Sequence, residues 1–191
     1  MNLQHLNLKI FTEKSAEEIP MESYIPIFHQ WIQKKVSEEM LLDVADYAHV
    51  PEGPGVMLIG HHANVSMDEV EGKLGLLYNR KVKEEGDNTE KLTRLFRWAF
   101  SHAKRLQDEA SVKGKLKFKP GHLQIIVNDR LLAANTEVNG RILESELEKI
   151  LPGIFGDSAI KISRHEDPRS RLTLDLEIST SLSVEDILKK L

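Results

Sequence analysis

Apolar positions recur along the chain with two periods, and the places where one gives way to the other mark its elements. Leu6, Leu8 and Ile10 alternate with Asn7, Lys9 and Phe11, which predicts a first strand. The polar stretch Ser15–Met21 reads as a connection. A helix is expected from Ser23 to about Val36, with Ser23 as its N-cap, Pro26 tolerated in the first turn, and Ile25, Phe28 and Ile32 on one face. Trp31 falls off that stripe, so it either widens the buried face or marks a contact surface. Three strands are expected next, over Met40–His49, Val56–Ser66 and Leu74–Val82. The prolines and glycines of Val50–Gly55 turn the chain between the first two, because they fix or free φ where a strand cannot continue.

The rest of the chain continues these signals. Asp87 followed by Glu90 has the form of a capping box and opens a helix over about Thr89–Glu109. Leu92, Leu95, Phe96, Ala99, Ala103 and Leu106 supply its apolar stripe, and Arg94, Arg97, Lys104, Arg105 and Asp108 its polar side. Trp98 and His102, one turn apart, lie along one edge. Lys115–Lys119 alternates lysine with Leu116 and Phe118, and Pro120-Gly121 is expected to turn the chain into a strand over Leu123–Leu131. A helix over about Val138–Phe155, a hairpin of Ala159–Arg164 with Arg171–Ile178, and a short last helix capped by Ser183 complete the series.

These elements predict one α+β domain over residues 1–191, an antiparallel sheet with helices packed on one face. The order strand, helix, strand, hairpin, strand, helix occurs twice, in halves of about 1–110 and 111–191. That order is compatible with an internal duplication of a β-α-β-β-α unit, although many unrelated α+β domains show it too.

Composition narrows the function. The chain of 191 residues has no cysteine, which removes disulfides, thiolate metal sites and cysteine nucleophiles, and fits a reducing, cytoplasmic setting. No apolar run is long enough to span a membrane, and the first residues lack the pattern of a signal peptide. A net charge of −4 argues against nucleic acid as the main partner. The alternating lysines of Lys115–Lys119 offer a patch for phosphate, but protection of an edge strand from unwanted pairing is the preferred reading.

Reactive side chains are densest between Asp43 and Asp68. If His49 faces Val56, then Asp43 faces His62, and Asp43, Tyr47, His49, His62 and Asn64 share one face. An Asp–His pair of that kind orients an imidazole as a general base. A solvated strand face with an ordinary cross-strand hydrogen bond accounts for the same residues without chemistry. His61 and His62 point to opposite faces of a continuous strand, and no chelating spacing occurs, so no metal site is assigned. No motif specifies a cofactor. Arg80, at the end of one strand, and Asn128-Asp129-Arg130, at the end of another, are the candidate ligand contacts, since a guanidinium grips carboxylate or phosphate by two hydrogen bonds. The resulting expectation is a non-enzymatic module that binds a small polar or anionic ligand, or assembles with itself or another protein. An enzyme centred on Asp43 and His62 is the alternative, and a weak nucleic-acid binder the third.

Overall fold

The computed structural model describes residues 1–13 and 18–191, so part of the connection expected at Ser15–Met21 lies outside the described residues. Eight strands form one antiparallel sheet: β1 (Leu6–Thr12), β2 (Leu41–Tyr47), β3 (Gly55–Gly60), β4 (Ala63–Asp68), β5 (Gly75–Arg80), β6 (Phe118–Val127), β7 (Ile160–Arg164) and β8 (Leu172–Ile178). Their spatial order is β2-β3-β4-β5-β1-β6-β8-β7. Four α-helices complete the fold: α1 (Tyr24–Lys34), α2 (Asn88–Asp108), α3 (Glu137–Phe155) and α4 (Val184–Leu188). The α+β class and the antiparallel sheet are as the periodicity predicts. The two halves contribute five strands and three, and no strand-for-strand duplication is seen.

Each strand offers alternate residues to the helices. Leu6, Leu8 and Ile10 of β1 stand beside Tyr78 and Leu76 of β5 on one side and Val127, Ile125 and Leu123 of β6 on the other. Together with Leu58, Val65, Leu174 and Leu176 they form one continuous core with the apolar stripes of α1, α2 and α3. Helix α2 lies over β1 and β5, α1 over β2 and β3, and α3 over β8. Asp87 and Glu90 make the capping box at the start of α2, and Ser183 and Asp186 make another at α4.

Three expectations are corrected. Val56–Ser66 is two strands, because the chain reverses at His61-His62 and β4 returns along β3. The segment Lys113–Lys117 precedes its strand, and β6 starts only at Phe118. β6 also runs straight through Pro120-Gly121. A register irregularity against β1 absorbs the proline, which cannot donate to the ladder. Gly121 is needed there, because a Cβ would fall 2.2 Å from the Ile178 carbonyl oxygen. The lysine stretch therefore leads into a central strand, and the sheet edges are β2 and β7.

Candidate functional site

The residues expected to pair on the first hairpin stand apart. Tyr47 faces Gly55 and Asp43 faces Ile59, a register three residues from the expected one (Leu58 for Tyr47). An odd shift moves Met57 and Ile59 to the face without helices, where Asp43, Ile59, Asn64, Asn79 and Asn7 follow one another across five strands. Asp43 accepts from the Val44 backbone N–H at 2.8 Å, so it closes on its own chain. His62 sits in the β3–β4 turn with its ring edge-on to His61 at 4.6 Å, and His49 is exposed in the β2–β3 connection. Among the described residues no group of three metal-ligating side chains converges.

At the end of β6, Asp129 accepts from the Leu132 N–H at 3.1 Å, which makes it a turn former. Asn128 takes a long 3.5 Å contact from Arg171, and Arg130 is exposed. Arg80 behaves differently. Its side chain is largely buried, paired with Glu39 and 3.7 Å from Glu84, and the Tyr78 hydroxyl lies 3.2 Å from Glu39. Burial disfavours the charged guanidinium, but Tyr78, Glu84 and Glu39 outweigh it and hold its pKa above the ordinary value. Burial first, and Glu39 second, push the Tyr78 hydroxyl up, so it stays protonated and able to donate.

Above this cluster lies His102, its ring between Tyr78 (centroids 5.7 Å apart) and Trp31 (6.1 Å). Its Nδ1 is 2.7 Å from the Trp98 carbonyl oxygen. A carbonyl only accepts, so Nδ1 carries the hydrogen and Nε2 presents a lone pair. Burial lowers the pKa of His102, which keeps the ring neutral. Trp31 is 1% exposed and donates to Glu109 at 2.6 Å, so it is a core residue and not a contact surface.

His102 lines a half-open cavity of about 550 Å³ between α2 and the segment that follows α1. Arg94, Arg97, Trp98, Ser101, His102 and Arg105 come from one stripe of α2, spaced by three or four residues as a single helix face requires, and Val36, Ser37 and Glu38 close the other side. Three guanidiniums meet one carboxylate there, in a protein whose net charge is −4. Arg94 is 3.3 Å from Glu84, and Arg97 donates to the Leu191 backbone carbonyl. Arg105 stacks over the Trp31 ring at 5.9 Å and makes no ion pair among the described residues. This arrangement can hold an anion: positive charge is concentrated, and hydroxyls of Ser37 and Ser101 are at hand to donate.

A second polar group occupies the face without helices. Lys9 of β1 reaches over Gly75 of β5 to Asp68 of β4, and both charged residues are almost wholly buried (3% and 4% exposed). Asp175 accepts from Gln124 at 2.8 Å and from His165 Nε2 at 2.7 Å. The cavity beside them is only about 170 Å³, and its charges, Lys9, Lys73 and Arg171 against Asp68 and Glu71, nearly cancel. These groups satisfy one another and leave little to bind a ligand. Periodicity exposes the α2 stripe and its arginines, Trp98 and His102, but nothing local brings Val36–Glu38 over it. No family model, no curated protein and no solved structure matches the chain.

Proposed function

We propose that the protein is a binding module for a small anionic ligand, held in the cavity between α2 and the Val36–Glu38 segment. The observation that supports this most is the convergence of Arg94, Arg97 and Arg105 on one cavity with a single facing acid, Glu38. Arg94 is matched by Glu84 and Arg97 by the Leu191 main-chain oxygen, but Arg105 makes no ion pair among the described residues, and an anion offsets the excess positive charge of the stripe. Arg105 and Arg97 make the direct contacts, and Arg94, braced by Glu84, supplies field from below. Arg80 does not line the cavity; tied to Glu39 and Glu84, it stands beside Tyr78, against which His102 packs. A volume of about 550 Å³ falls within the range of small-molecule sites.

Inorganic phosphate is the direct probe, titrated at low ionic strength by calorimetry or by amide chemical shifts. Saturable binding is expected, with shifts confined to α2 and residues 36–38. It should weaken about tenfold for Arg105→Gln, the loss of one charge-assisted hydrogen bond, and further for Arg97→Gln/Arg105→Gln. Equal affinity in the wild type and the double variant, or no saturable binding, would overturn the proposal.

A further inference from the structure

The cavity has more room than a bare phosphate or carboxylate fills, and its one aromatic wall points to what occupies the rest. Trp98 lines the cavity half-buried, with no hydrogen-bond partner for its indole among the described residues. Trp31 is sealed in the core, so Trp98 alone of the two tryptophans offers a ring to a ligand. On α2, Ser101 and Arg105 follow Trp98 by three and seven residues, one and two turns, or about 5 and 10 Å along the axis. Arg94 precedes it by one turn. Trp98 therefore stands between Arg94 on one side and Arg105 on the other, so a base stacked on it can carry a phosphate, joined through a sugar, towards the guanidiniums. Between them the rim carries Ser37, Ser101 and Glu38, the hydroxyls and the carboxylate that ribose hydroxyls bond to.

Resting on the anion-binding proposal, we infer that the ligand is a nucleoside monophosphate, its base stacked on Trp98 and its phosphate held by Arg97 and Arg105. The one acid in a basic cavity then has a role, since Glu38 accepts from the ribose and does not oppose the phosphate. Stacking of a base on an aromatic side chain raises affinity roughly fivefold to a hundredfold over phosphate alone.

Tryptophan fluorescence separates this inference from the one beneath it. The whole chain is titrated with AMP, GMP, CMP and UMP, and in parallel with adenosine and inorganic phosphate. At least one mononucleotide should quench the emission saturably and bind about tenfold or more tighter than phosphate. Trp98→Phe should abolish the quench, and Arg105→Gln, a change at an exposed helix position, should weaken mononucleotide but not adenosine. Circular dichroism of both variants checks that the fold is retained. If phosphate binds as tightly as every mononucleotide, or Trp98→Phe leaves the quench intact, the nucleotide inference is overturned and anion binding stands. If neither phosphate nor any mononucleotide binds, both fall together.

Discussion

His102 shows how one side chain can be half readable. Its spacing of four from Trp98 places both on one edge of α2, which periodicity alone reveals. Its burial is not readable, because Trp31 and Tyr78, which enclose the ring, come from α1 and β5. That enclosure has a consequence for stability. Burial depresses the His102 pKa below its ordinary 6.5, so the unfolded chain takes up this proton more readily than the folded one. Above pH 6.5 the ring is neutral in both states and costs nothing. As pH falls from 6.5 through the lower folded value, protonation of the unfolded chain draws the equilibrium towards it. The wild type should therefore lose melting temperature over that window. His102→Gln, which retains a donor for the Trp98 carbonyl, should show a shallower loss over the same window. Parallel slopes in thermal scans of the two proteins would show that His102 does not carry this dependence.

At the scale of elements, helices were legible and strand register was not. The capping box of Asp87 and Glu90 and the stripe from Leu92 to Leu106 are local, so α2 appears within a residue of its expected bounds. The register of β2 on β3 depends on how the long Ala48–Pro54 connection folds, where Glu52 adopts a left-handed φ of 56°. The β3–β4 reversal at His61-His62 carries no Asn-Gly or Asp-Gly signal of a tight hairpin. Missing that reversal also hides the Lys9–Asp68 pair, since it spans β1, β5 and β4. Gly75 makes the pair feasible: a Cβ there would lie 2.9 Å from Lys9 Cε and 2.8 Å from the Ile10 carbonyl oxygen. Lys9→Met alone leaves a buried carboxylate without its cation and should cost about 3–5 kcal/mol in urea unfolding. Lys9→Met/Asp68→Leu removes both charges and should recover most of that loss. A double variant no more stable than the single one would mean that Lys9 contributes packing and not charge compensation.

For the whole molecule, strand order sets where the sheet is strongest. β1 pairs with β5 and β6, lies under α2, and joins the two halves of the chain across its ladder with β6. β2 pairs only with β3, and the edge it forms leaves Met40, Leu42 and Tyr47 exposed, at 63%, 50% and 41%. Opening β2 breaks one ladder and its packing on α1, whereas opening β1 breaks two ladders and requires the core beneath α2 to separate. Amide exchange should follow that difference, because protection reports the free energy of the smallest opening that frees each N–H. The core-facing stretches Leu6–Ile10 and Leu123–Val127 should exchange most slowly, near the limit of global unfolding, and Leu41–Tyr47 faster by orders of magnitude. Because α2 packs directly on β1 and β5, an anion bound to its outer face should slow exchange in α2 and leave β2 unchanged. Equal protection of β2 and β1 in hydrogen-exchange mass spectrometry at micromolar concentration would mean that the edge is covered in solution. Loss of β2 protection on dilution would then identify a second copy of the chain as the cover.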